Sequence, residues 1–212
     1  MNFVFSKGQM GDYYQTNKEI ELGVLIAVVE KQTTDKLVKE HLDELAFLAQ
    51  TLDIKVHQTF VQKTEHPDKR TYIRSGKLAE IQSFIKMENI DIIIFDDELS
   101  PSQLRNIENE IKIKVYDRSL LILDIFLRRA RTAQAKIQVE LARFQYLLPR
   151  LTRMWTHLER QRGGRGTRGG AGEKEIETDK RMVRDRITLL KKQLTKVELQ
   201  ASTRRKARNG IV

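Results

Sequence analysis

Arginine and glycine are interleaved between residues 160 and 172 in a pattern that favours contact with phosphate. A guanidinium pairs with phosphate oxygens through a planar fork of donors, and glycine lets the backbone approach a ligand closely. A simple hairpin turn needs only about two to five residues, so this longer segment favours a binding role over a flexible turn or an arginine–glycine low-complexity tract. The predicted phosphate-binding residues are Arg160, Arg162, Gly163, Gly164, Arg165, Gly166, Arg168 and Gly169.

Two helical patterns flank this segment and must position it. Before it, steps of three and four join Phe126, Ala130, Ala133, Ile137, Leu141, Phe144, Leu148, Leu151, Trp155 and Leu158. After it, the same steps join Ile176, Val183, Ile187, Leu190, Leu194, Val197 and Ala201. Neither narrow apolar seam can be buried alone, so we predict a long antiparallel α-helical hairpin over residues 119–208, with a glycine-rich tip at 162–172. Pro149 predicts a kink in the first arm.

The charge of the chain is divided between its two halves. Residues 1–117 carry 15 Lys and Arg against 20 Asp and Glu, whereas residues 118–212 carry 24 against 9. A solvated helix surface would predict balanced signs, so this asymmetry indicates that the hairpin contacts a polyanion, most simply a nucleic acid. The arginines that supply positive charge along the first arm are Arg128, Arg129, Arg131, Arg143, Arg150 and Arg153.

Composition excludes several other classes of protein. The chain has no cysteine, which excludes disulfides, thiolate zinc sites and thiol catalysis and fits a cytoplasmic protein. No apolar run reaches transmembrane length, and the N-terminus lacks a signal-peptide pattern. At 40% hydrophobic residues the chain can form a buried core.

Strand and helix patterns alternate through the first half. Residues 1–20 are predicted to be a flexible leader. Strands are predicted at 22–29, 54–60, 90–95 and 113–116, and the helix between the first two has its apolar stripe at Leu37, His41, Leu45, Leu48 and Leu52. Ser100-Pro101 predicts a helix start. The predicted fold class is α/β, with a small four-stranded parallel sheet and flanking helices at 21–118, before the hairpin.

No catalytic site can be assembled from these residues. Asp96-Asp97 follow a buried strand, where an acidic pair could bind Mg²⁺, but a solvated loop explains them more simply. Ser75-Gly76-Lys77 could meet a phosphate at a helix start, but it is not a Walker A loop. We therefore predict no catalytic residue, metal site or cofactor site in this chain.

Several segments together resemble the HflX family of translation-associated GTPases. They are 95–106 (FDDELSPSQLRN), 117–126 (DRSLLILDIF), 138–143 (QVELAR), 146–151 (YLLPRL), 163–173 (GGRGTRGGAGE) and 177–181 (ETDKR). The resemblance implies an N-terminal α/β subdomain, a helical hairpin and a Ras-like GTPase domain that uses GTP and Mg²⁺. Residues 209–212 are then expected to begin that GTPase domain, which is otherwise missing here.

The resemblance also implies a function. Members of the family bind the large ribosomal subunit, with the hairpin tip near the peptidyl-transferase region, and split stalled or hibernating ribosomes under stress. The chain is thus expected to be a ribosome-binding part of such a GTPase, with rRNA and its own GTPase domain as partners. The alternative is a regulatory module, in which the hairpin docks on protein and restrains the GTPase domain.

Overall fold

The computed structural model describes residues 20–150 and 171–209, with side chains of the last helix described between 178 and 203 except at 179. The strands are β1 Glu21–Val29, β2 Ile54–Lys63, β3 Ile92–Phe95 and β4 Lys114–Asp117. The helices are α1 Asp35–Gln50, α2 Ser75–Glu88, α3 Pro101–Ile111, α4 Arg118–Arg129, α5 Ala133–Leu147 and α6 Ala171–Asn209. We call α5 and α6 the helical arm.

The four strands form one parallel sheet in the order β2-β1-β3-β4. Residues of α2 and α3 bury one face of the sheet, with Ile81 and Ile107 fully enclosed. Residues of α1 and α4 bury the other face, with Leu45 and Leu121 enclosed. Because both faces are covered, β1 and β3 are continuous apolar runs, as parallel strands require. The predicted α/β class with a small four-stranded parallel sheet is confirmed.

Local sequence signals explain where several helices begin. Ser100 Oγ accepts a hydrogen bond from Gln103 N, Gln103 Oε1 accepts one from Ser100 N, and Pro101 is the first residue of α3. This is a complete capping box, at the helix start that the sequence predicts. Thr34 caps α1 through Leu37 N at 3.5 Å.

The buried stripe of α1 differs from the prediction. Its core-facing residues are Val38, Leu42, Leu45 and Ala49, whereas Leu37 and His41 are exposed. Two stripes related by one residue along the helix look similar in sequence, and packing against β1 and β2 selects between them.

The first arm of the predicted hairpin is interrupted. The apolar spacing predicts a continuous helix through residues 126–133, but α4 ends at Arg129 and Ala130 is extended, with ψ 116°. Thr132 then caps α5 through Ala135 N. The interruption occurs because α4 packs on the sheet through Leu121 and Ile125, whereas α5 packs against α4 and α6.

The seam on α6 is present over its described part. Ile187 and Leu190 are buried, and Val183, Leu194, Val197 and Ala201 are half-buried. At about 1.5 Å per residue, the 39 residues of α6 extend roughly 58 Å. Pro149 predicts a kink near residues 145–148, and α5 ends in that region, at Leu147, with a turn at 148–150. The predicted tip lies outside the described residues, and both the tip and the antiparallel closure of the hairpin stay predictions.

Candidate functional site: the junction between the sheet and the helical arm

The side chain of Asp117, at the end of β4, connects three elements. It is 1% exposed. Its carboxylate accepts hydrogen bonds from Leu99 N at 3.1 Å and from Leu120 N at 2.9 Å, and it therefore caps α4. It also accepts a short hydrogen bond from the Tyr146 hydroxyl of α5. One buried carboxylate thus joins the loop after β3, the start of α4 and the end of α5.

Arg150 completes the junction from the turn after α5. Only 6% of this residue is exposed, and its guanidinium donates to Leu99 O at 2.9 Å and Tyr146 O at 3.0 Å. It pairs with Glu98 at 3.3 Å and stacks 3.5 Å from the centre of the Tyr146 ring. Burial, together with the hydrogen bond to Asp117, raises the pKa of Tyr146. The phenol therefore stays protonated and keeps donating to Asp117.

A second set of ion pairs surrounds this core of the junction. Arg118 bridges β3 and α1 by donating to Asp96 and Glu44, both at 2.7 Å. Arg143 of α5 pairs with Asp124 of α4. The same Asp124 accepts from the Tyr116 hydroxyl at 2.8 Å. The base of the arm is therefore tied to α4 and to the sheet by hydrogen-bonded charges.

The carboxyl edge of β3 does not form a metal site among the described residues. Asp96 is held by Arg118, and Asp97 is half-buried beside the hydroxyl of Tyr72. Burial raises the pKa of Asp97. Within residues 20–150 and the described side chains of α6 (178 and 180–203), no group of three His, Asp or Glu is arranged to hold a cation. In the same ranges, no helix is both long and apolar enough to cross a bilayer.

The predicted binding residues fall into three groups: buried in the junction, exposed, or outside the described residues. Arg143 and Arg150 are engaged inside the junction, whereas Arg129 and Arg131 are exposed. The remaining predicted residues lie outside the described residues, and their roles stay predictions. They are Arg153, Arg160, Arg162, Gly163, Gly164, Arg165, Gly166, Arg168 and Gly169. Asp117 and Tyr146 were not singled out as site residues by sequence reasoning. Asp117 directly follows an apolar strand and precedes a helix, which is a recognisable capping signal.

Comparison with known proteins identifies the family that has these segments. A family model described as "GTP-binding GTPase N-terminal" matches residues 39–127, and one described as "GTP-binding GTPase Middle Region" matches 129–208. "GTPase HflX" of Flavobacterium psychrophilum is 48% identical over 192 residues, which are 91% of this chain and 46% of that relative. "GTPase HflX" of Chlamydia pneumoniae is 44% identical over 216 residues, 99% of this chain and 46% of that relative.

The chain belongs to the HflX family. It spans about half the length of the curated HflX relatives it matches. A solved GTP-binding protein from the archaeon Sulfolobus solfataricus, in complex with GDP, is also similar. Its TM-score is 0.59 at 27% identity, over 84% of this chain and 46% of that one. Leu99, Asp117 and Tyr146, which meet at the junction, come from three of the segments that resemble the HflX family.

Proposed function

We propose that this chain is the ribosome-binding N-terminal part of an HflX-type GTPase. Its basic helical arm contacts large-subunit rRNA near the peptidyl-transferase region, in the cytoplasm. In the whole protein, a C-terminal domain hydrolyses GTP with Mg²⁺, and binding by the arm supports ribosome splitting or rescue under stress.

The observation that carries this proposal is the charge on the described part of the arm. Between residues 180 and 203, α6 has seven Lys and Arg but only two acidic residues, Asp185 and Glu198. Arg181, Lys191, Lys192 and Lys196 are exposed on α6. Exposed cations along a long helix suit the phosphate backbone of RNA, whose neutralisation releases counterions and provides a large share of the affinity.

In the α/β part, unlike the arm, acidic residues outnumber the cations, since residues 1–117 carry 15 Lys and Arg against 20 Asp and Glu. Many of them lie against carboxylates of the same domain, as in Lys31–Glu65, Lys63–Asp35 and Lys77–Glu80. Exposed pairs of this kind add little stability, but they cancel the field that a distant polyanion would feel. The positive field is therefore concentrated on the arm, and the α/β part serves as a base for it.

The junction supports the proposal because it holds the base of the arm in a fixed orientation. A buried carboxylate, a buried guanidinium and a phenol fix the end of α5 relative to the sheet. The chain that leaves Arg150 toward the predicted tip therefore starts from a rigid point. Pre-organisation of this kind lowers the entropy lost on binding.

The experiment is a pelleting assay of the 212-residue chain with purified large ribosomal subunits. The variant changes Arg160, Arg162, Arg165 and Arg168 to Ala. If all four contact phosphates, the slope of log K against log [salt] should become shallower by about 3, at roughly 0.7–0.9 per contact. The matched control changes four exposed lysines of the α/β part to Ala: Lys39, Lys55, Lys69 and Lys86.

Equal binding by the wild-type chain and the tip variant at every salt concentration would contradict the proposal. Binding that resists both salt and ribonuclease would instead favour docking of the hairpin on protein. Loss of binding in the control variant would indicate that the α/β part, and not the tip, contacts the subunit.

A further inference from the structure

The interruption between α4 and α5 creates a basic concave surface. It is lined by Thr51, Arg128, Arg129 and Arg131. Because Ala130 is extended, the chain turns between the two helices, and arginines on both sides of Ala130 line the same concavity. In a continuous helix, residues 129 and 131 would lie about 200° apart around the axis.

Arg128 is the fixed member of this cluster. Its guanidinium donates to Thr51 O at 2.7 Å, at the end of α1, and to Asp53 Oδ2 at 2.8 Å. These bonds use the charge of Arg128 to hold α1 against α4. Arg129 and Arg131 remain exposed, and the N-terminus of α5 beside them adds the positive end of a helix dipole.

Two exposed phenylalanines adjoin the arginines. Phe126 is 56% exposed and precedes Arg129 by one helical turn on α4. Phe47 is 65% exposed and precedes Thr51 by one turn at the end of α1, where Thr51 N donates to Phe47 O at 3.3 Å. Residues three or four apart are neighbours on a helix surface, so each phenylalanine is adjacent to a residue that lines the concavity. We call Phe47, Phe126, Arg129 and Arg131 the elbow surface.

We propose that the elbow surface binds a single-stranded stretch of RNA. Arg129 and Arg131 pair with consecutive phosphates, and an unstacked base packs on the ring of Phe126, with Phe47 as a second platform. This inference rests on the proposed function in that RNA is the partner. It assigns a contact of its own to the base of the arm, separate from the predicted tip.

The chemistry of the surface favours RNA with unpaired bases. Cationic grooves bordered by aromatic rings are the usual design for single strands, because phosphates meet the cations and every base offers a face for stacking. A duplex hides its base faces, so it would use only the arginines.

The test measures fluorescence anisotropy of labelled RNA with the 212-residue chain. The probes are an oligoadenylate of about twelve nucleotides and an RNA duplex of similar length. Phe126→Leu should weaken binding to the oligoadenylate about fivefold or more, since stacking is worth roughly 1–3 kcal/mol per base, and should leave its salt slope unchanged. Arg129→Gln with Arg131→Gln should make that slope shallower by about 1.4.

The control is Lys39→Gln with Lys86→Gln, which removes the same charge from exposed sites of the α/β part. Equal affinity of wild type and Phe126→Leu for the oligoadenylate would overturn the proposal, and so would the absence of oligoadenylate binding, which points to a protein occupant. A Phe126 effect that is equally large on the duplex would overturn it as well. The oligoadenylate assay needs no ribosomes, so its result is independent of the pelleting assay. The elbow surface can fail to bind RNA while the tip variant still weakens subunit binding, and the elbow surface can bind RNA while the tip variant has no effect.

Discussion

The hydrogen bond between Tyr146 and Asp117 should stabilise the chain and hold the base of the arm. Tyr146→Phe removes only the hydroxyl. The ring under the Arg150 guanidinium is kept, and Asp117 still accepts from Leu99 N and Leu120 N. The substitution therefore isolates the bond that crosses from α5 to the end of β4.

The expected magnitude follows from the type of bond. Hydrogen bonds to a charged group contribute about 1.5–3 kcal/mol, and Asp117 is almost completely buried. The free energy of unfolding should fall by that amount. With an m-value of about 1–3 kcal/mol/M in urea, the unfolding midpoint should drop by roughly 1 M.

Two measurements check this prediction. Urea unfolding followed by circular dichroism gives the stability, and hydrogen exchange over residues 141–150 reports local opening at the end of α5. Tyr116→Phe is the matched control, because it removes a phenol–carboxylate bond to Asp124 between β4 and α4. Both variants should lose stability, but only Tyr146→Phe should accelerate exchange at the end of α5 beyond the global effect.

A clear result would refute the reasoning. If Tyr146→Phe unfolds at the same urea concentration as wild type and exchanges at the same rate over 141–150, the bond does not hold the arm. Equal acceleration in both variants would show that exchange at the end of α5 follows global stability alone.

Three further substitutions test the α/β part. Gly23→Ala should destabilise the chain by about 1–3 kcal/mol in urea unfolding, because the added Cβ would lie 2.7 Å from Ile54 Cγ2 and 3.2 Å from Ile92 Cγ2. Gly76→Ala, which has open space around it in α2, should be neutral or stabilising, and equal costs at both sites would contradict the packing argument. Burial raises the pKa of Glu108 to about 8, above its unfolded value, so the unfolded state ionises first and stability should fall as pH rises from about 4.5 to 8. Glu108→Gln should flatten that part of the stability–pH curve, and an unchanged slope would contradict the burial argument.

The junction changes how Arg150 is understood. Sequence reasoning groups it with arginines that bind RNA, because it belongs to a basic arm. In the structure its guanidinium is buried between Leu99 O and the Tyr146 ring. An RNA contact by Arg150 stays a prediction, but its structural partners explain why an arginine occupies this turn: the planar fork bonds two carbonyls while its face covers the ring.

Elements with local sequence signals can be predicted without the structure. Continuous apolar runs predict β1 and β3, Ser100-Pro101 predicts the start of α3, and the three-four seam predicts which face of α6 is buried at Ile187 and Leu190. These signals are readable because each depends on residues within about two helical turns of one another. The resemblance to the HflX family likewise rests on short continuous segments.

Tertiary structure decided what those segments do together. Asp117 meets Leu99 and Tyr146, although they lie 18 and 29 positions away from it, and no local pattern records such a meeting. The same applies to the interruption at Ala130 and to the exposure of Phe126, whose spacing fits a continuous seam. The physical reason is that α4 has to pack on a sheet and α5 on another helix, and only the packed chain shows that one straight helix cannot do both.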